Sequence, residues 1–180
     1  DYYNFVRGVV DSEDVSLNIS RETLQHDRQL HAIARRIEKK ITDDLCDMRD
    51  NDREAYEKFF ENFGRGLKFG IYNTYGGKAD DLLLFWSAKE QKMVTLREYA
   101  EAMPDGQKAV YYAAGDDRER LSKMPVVTGV LARGYDVLLC TQDVDEFCFT
   151  AMRDYGANED GEGAKELKNV ASGDLDFATE

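Results

Sequence analysis

At Pro104 the hydrophobic period of this chain changes, and no other feature constrains the fold as strongly. Ahead of Pro104 apolar residues recur at helical spacing; beyond it, short apolar runs alternate with helical stretches. Residues 108–114 read as a strand carrying Val110, Tyr111 and Tyr112. A polar helix over residues 116–123 follows. Pro125 then opens another helix at its first position, where the missing N–H costs nothing, and Gly134 ends it. Residues 135–140, YDVLLC, are continuously apolar, the pattern of a strand buried on both faces of a parallel sheet. Residues 144–155 return to helical spacing with Val144, Phe147, Cys148, Phe149 and Met152, and residues 167–171 supply a third strand. A β-α-β-α-β layer follows, its first two strands parallel because a helical crossover between neighbours normally gives a right-handed parallel pair. Between the last two elements, residues 156–163 (GANEDGEG) form an acidic loop.

Upstream, Leu30, Ile33, Ala34, Ile37, Ile41, Leu45 and Met48 predict one long helix over residues 22–48. Its other face carries Arg28, Arg35, Arg36, Lys39 and Lys40, which read as a solvated face in preference to an anion site. A second helix starts near residues 50–52 with Tyr56, Phe59, Phe60 and Phe63 on one side; Gly64, Gly66 and Gly70 are expected to interrupt it. The YGGK turn at residues 75–78 breaks the chain, and residues 82–86 read as a short buried helix. Phe85 and Trp86 suit either core packing, the preferred reading, or a ligand or client pocket. Thr95 to Glu98 is a capping box that starts a helix stopping before Pro104. Residues 3–10 read as a strand whose partners lie outside this sequence, since a lone strand cannot satisfy its own backbone. The predicted fold class is mixed α/β. Residues 1–21 end a truncated α/β subdomain, residues 22–104 form a helical region, and residues 105–180 form a small three-layer α/β/α unit with a mostly parallel sheet.

Composition narrows the partners. The 180 residues, 42% hydrophobic and 33% charged, suffice for a core and a charged surface. A net charge of −12 disfavours nucleic acid, and no apolar run is long enough to span a membrane. The chain starts at Asp1 without Met or a leader and reads as a piece of a longer protein. Its three cysteines, without CxxC, fit a reducing cytoplasm. His26 and His31 are spaced wrongly to share one helical face as metal ligands, and Asp11, Glu13 and Asp14 lack the glycine and distal glutamate of a calcium loop, so no metal is expected. There is no Walker-type phosphate loop, no GxGxxG after a strand and no GxSxG elbow.

Residues 5–25, FVRGVVDSEDVSLNISRETLQ, carry the strongest functional signal. Ser20 is a good N-cap, so Arg21 and Gln25 stand at a helix N-terminus, where backbone N–H groups and the dipole favour an anion. Local chemistry leaves two readings of Arg21: an ion pair with a nearby carboxylate, or a fork of donors for a phosphate.

The string GVVDSEDVSLNISRETLQ closely resembles the catalytic-loop segment in the middle domain of the ninety-kilodalton heat-shock protein family, the ATP-driven chaperones. YEKFFENFGRGLKFGIY, LREYAEAMPDGQKAVYYAAG and GYDVLLCTQDVDEF resemble later segments of the same domain in the same order, so the likeness runs from about Tyr3 to about Phe177. The resemblance implies a split active site. ATP with Mg2+ would sit in a separate N-terminal domain of the same protein, and Arg21 would reach the terminal phosphate when the domains dock. Gln25, Asn18 and Ser20 belong to the same loop. It also implies that unfolded or partly folded client proteins are held on this part of the molecule, with Glu146, Phe147 and Met152 as candidate contacts. The full-length protein would be a homodimer, and this fragment a monomer without ATPase activity of its own.

Two other classes compete. One is a stand-alone interaction module whose acidic surface takes a basic partner. The other is a small-molecule enzyme with its site at the C-terminal ends of the strands at residues 108–114 and 135–140, where Asp116, Asp117, Asp143 and Asp145 lack a base or a cofactor loop beside them.

Overall fold

The strand β3, Ala109–Ala114, is buried on both sides and organises the molecule. Val110 and Tyr112 point into one core, while Ala109, Tyr111 and Ala113 point into another, as the two-residue period of a strand requires. The structure is a computed structural model that describes residues 3–11, 28–74, 80–156 and 163–172.

Helices α1 (Arg28–Asn51) and α2 (Arg53–Thr74) come first. A 3-10 turn at Asp80–Leu82 leads into the hairpin β1 (Phe85–Ser87) and β2 (Lys92–Val94), then α3 (Leu96–Glu101). After β3 come α4 (Arg118–Ser122), α5 (Pro125–Ala132), β4 (Leu138–Cys140), α6 (Asp143–Met152), β5 (Asp154–Tyr155) and β6 (Lys165–Asn169). The six strands form one mixed sheet in the order β2-β1-β4-β3-β6-β5. Its centre is parallel, with Tyr112 opposite Leu138 and Val110 opposite Leu167. Antiparallel pairs flank it: β1 with β4 and β2, and β5 with β6. Helices α1, α2 and α6 contribute to the core on one face of the sheet, and α4 and α5 to the core on the other.

The expected parallel pairing of β3 and β4 is present. So is the capping box: Glu98 N donates to Thr95 Oγ1 at 3.1 Å and Thr95 N to Glu98 Oε2 at 2.7 Å. Pro125 stands at the start of α5, and Gly134 follows the helix at a φ of +86°, a conformation that suits glycine.

Several expectations need correction. Residues 3–10 form no strand. Tyr3–Phe5 make a turn, and the apolar side chains pack on helices: the Tyr3 hydroxyl meets Thr42 Oγ1 at 2.5 Å, and Phe5 stacks near Phe59 and Phe63. Without a paired neighbour there is no ladder to hold an extended segment, and Val9 is fully exposed. The glycines do not interrupt α2. A Cβ on Gly64 would lie 2.6 Å from the Phe60 ring, so this glycine serves packing. Leu82 ends the 3-10 turn, but residues 83–86 are not helical. An all-apolar run is ambiguous by period, and here β4 offers Trp86 a strand partner in Leu139. Helix α6 stops at Met152, where Arg153 takes a positive φ of 63° and the chain turns into β5 against β6. The third core strand begins two residues earlier than expected, at Lys165.

Candidate functional site

Helix α2 buries Tyr56, Phe60, Leu67 and Ile71 along one stripe, which leaves Lys68 at its edge facing α6. Lys68 Nζ lies 2.5 Å from Asp145 Oδ1 and donates to Gln142 Oε1 at 3.0 Å. The same ammonium sits 4.8 Å from the centre of the Phe85 ring and 5.4 Å from that of Phe60. Asp145 also caps its own helix, Oδ2 accepting from Gln142 N at 3.0 Å. One turn earlier on α2, exposed Arg65 donates to both oxygens of Asp143 at 2.9 and 3.0 Å. Two cations of α2 thus fasten the first turn of α6, one in the core and one at the surface.

With α6 held in this way, its outer side presents Phe147, 56% exposed. Tyr72 of α2 lies across from it, ring centres 5.6 Å apart, and Phe69 continues the strip with its centre 6.1 Å from that of Tyr72. Phe69 is 55% exposed and Tyr72 40%. Glu146 stands beside Phe147, also exposed, and accepts from Asn169 Nδ2 at 3.2 Å. An exposed run of three aromatics next to charge is the kind of surface that marks a contact with other proteins.

Of the residues singled out from sequence, Glu146 and Phe147 lie together on this surface. Met152 is half-buried and packs against the core, its sulfur 3.8 Å from Cys148 Sγ. Asn18, Ser20, Arg21 and Gln25 lie outside the described residues. Sequence reasoning missed Phe69 and Tyr72. The available signal was their spacing: three apart, and both off the stripe defined by Leu67 and Ile71.

The two lysines on the basic face of α1 are balanced by carboxylates on the same helix. Lys39 pairs with Asp43 at 2.7 Å and Lys40 with Asp44 at 2.5 Å, each one turn on. Trp86 is half-buried at the C-terminal end of the parallel strands, with the Arg118 guanidinium 4.0 Å from its ring centre, while Phe85 belongs to the core. Among the described residues no group of acidic, histidine or cysteine side chains is arranged to hold a metal ion, and no helix is long and apolar enough to cross a membrane.

Fold and surface together define a class: an α/β platform that presents exposed aromatic side chains on a firmly held helix pair. The family model described as Hsp90 protein matches residues 1–180, and the chain belongs to the Hsp90 family. It is 52% identical over 178 residues to the chaperone protein HtpG of Clostridium botulinum strain Langeland, a match covering 97% of this chain and 27% of that protein. The same relation holds for the HtpG of strain Okra. The HtpG of Clostridium perfringens strain 13 is 51% identical over 183 residues, covering 100% of this chain and 28% of the relative. The chain therefore spans a little over a quarter of the length of these relatives.

Proposed function

We propose that this chain is the middle part of an ATP-driven, HtpG-like chaperone, with two jobs. One is to hold unfolded or partly folded client proteins on the Phe69–Tyr72–Phe147 strip. The other is to bring Arg21 to the terminal phosphate of ATP, the substrate bound by a separate domain of the same protein. Gln25, Asn18 and Ser20 would shape the loop that carries Arg21. The charge that develops on phosphoryl oxygens is what a positioned guanidinium stabilises. A client has the complementary chemistry for the strip: exposed apolar side chains that lack a core of their own.

The exposure of three adjacent aromatics on elements otherwise well packed is the observation that supports client holding most directly. Aggregation of a heat-denatured reporter enzyme, followed by light scattering with the full-length protein, tests it. Phe147→Ser and Phe69→Ser are expected to lose most of the protection without lowering the melting temperature. Full protection by both variants would remove the strip from the account.

A further inference from the structure

A trough runs along the C-terminal ends of β3 and β4, the edge of a parallel sheet where open α/β folds bind ligands. It has two lobes, of about 360 Å³ and 500 Å³, that meet at Trp86, Arg118, Leu139 and Thr141. The first lobe is walled by Glu57, Phe60 and Glu61 of α2 with Met93 of β2, and the second by Asp116, Asp117 and Glu119. Six carboxylates line the two lobes against two cations. One of those cations, Lys68, is already committed to Asp145. The other, Arg118, makes no ion pair among the described residues, and its guanidinium lies on the Trp86 indole. Glu61 and Asp116 likewise carry no ion-pair partner among the described residues, whereas Glu57 and Glu119 pair with Arg53 and Lys123.

These observations exclude an anionic occupant. The positive end of α6 opens toward this trough, but the chain's own carboxylates already fill it: Asp145 takes Gln142 N, and Asp143 takes Val144 N at 2.9 Å. What remains is excess negative charge around an aromatic face that holds a guanidinium in place. Arg118 shows the chemistry the face accepts, a flat cation with an apolar stem.

We infer that this trough binds an extended, arginine-bearing segment of another polypeptide, whose guanidinium displaces Arg118 from Trp86 while neighbouring cations meet Glu61 and Asp116. The site is separate from the Phe147 strip: none of Phe69, Tyr72 and Phe147 lines either lobe. It does not depend on the chaperone reading.

Fluorescence anisotropy with the full-length protein and a labelled ten-residue peptide of alternating arginine and leucine tests the inference. The peptide with glutamate in place of arginine is the comparison. Saturable binding in the micromolar range is expected for the basic peptide alone, weakening as salt screens the carboxylates. Glu61→Lys should weaken it about five-fold or more, the scale of one charge or cation–π contact, while the charge-matched change Asp47→Lys on α1 should barely matter. Arg118→Ser should tighten binding because it frees the indole, whereas Lys39→Ser, which removes the same charge elsewhere, should not. Equal binding of the acidic peptide, equal weakening by Asp47→Lys, or no tightening by Arg118→Ser would each overturn the inference.

Discussion

Lys68 of α2 and Asp145 in the first turn of α6 form an ion pair 2.5 Å long whose side chains are only 4% and 3% exposed. Among the described residues no hydrogen bond of good geometry reaches Asp145 Oδ1, so charge at close range carries the attraction. Gln142 and the rings of Phe85 and Phe60 complete the surroundings of the ammonium. Such a pair, once desolvated, contributes little net stability, but removing one partner strands the other charge. Lys68→Met or Asp145→Leu alone should therefore cost about 3–5 kcal/mol in urea unfolding. The double variant should recover much of the loss, giving a coupling beyond about 1 kcal/mol in the mutant cycle. Additive losses would mean that the two side chains act independently.

Asp80 gives a pH dependence of defined sign. Burial raises its pKa, and the charge of neighbouring Asp81 adds to the effect, with only partial relief from hydrogen bonds such as Asp81 N to Oδ1 at 2.9 Å. A carboxyl whose folded pKa exceeds its unfolded value costs stability at neutral pH. As pH falls through the folded pKa the native state takes up the proton first, and the cost fades. Asp80→Asn should thus raise the melting temperature at pH 7, and the gain should vanish as pH drops toward about 4, the ordinary aspartate range. Asp50 works in the opposite direction: its hydrogen bonds to Arg49 lower its pKa, so what it contributes is lost on acidification.

The two glycines in the middle of α2 should respond oppositely to alanine. At Gly64 a Cβ would collide with Phe60, so Gly64→Ala should destabilise by about 1–3 kcal/mol through overpacking. At Gly66 no atom of the described residues beyond the helix's own backbone lies within 4 Å of the new methyl group, and the residue is helical. Gly66→Ala should stabilise by about 0.4–1 kcal/mol, chiefly by restricting the unfolded chain. Thermal melts of the two variants, side by side, check both signs.

The cysteine thiols should be inert in the folded protein. Burial pushes Cys148 up to about 12 and raises Cys140 well above the ordinary thiol range, so neither offers thiolate at neutral pH. Cys46 is half-buried and shifted upward for the same main reason. Iodoacetamide at pH 7.5 should modify Cys46 slowly and the other two only after unfolding. Rapid native labelling of Cys148 would show that α6 opens from the core.

Much of the second half of the fold was legible because it is locally consistent. The capping box at Thr95, Pro125 at a helix start, Gly134 after its end and the YDVLLC run each carry their own physical signal. The first half was harder for two reasons. Residues 82–86 are apolar without period, and only pairing with β2 and β4 makes part of them a strand. The glycines of α2 look like breaks in sequence, because the ring that needs Gly64 is visible only in three dimensions. Of the candidate surface, Glu146 and Phe147 were found through family resemblance. Phe69 and Tyr72 join them only through the packing of α2 on α6, a relationship between residues more than seventy positions apart.

The proposal that this chain completes an ATP site in another domain rests on Arg21, which lies outside the described residues. In the full-length protein, steady-state ATP hydrolysis measured alongside nucleotide affinity tests it most directly. If Arg21 meets the phosphate chiefly in the docked, reactive state, its contribution appears in the transition state and not in ground-state binding. Arg21→Ala should then lower kcat by about ten-fold or more, with nucleotide Kd and the melting temperature nearly unchanged. Arg21→Lys should recover only part of the rate, since an ammonium lacks the planar fork. Hydrolysis by Arg21→Ala at the parent rate, in a protein that melts normally, would contradict the account and leave Arg21 as a structural ion-pair residue.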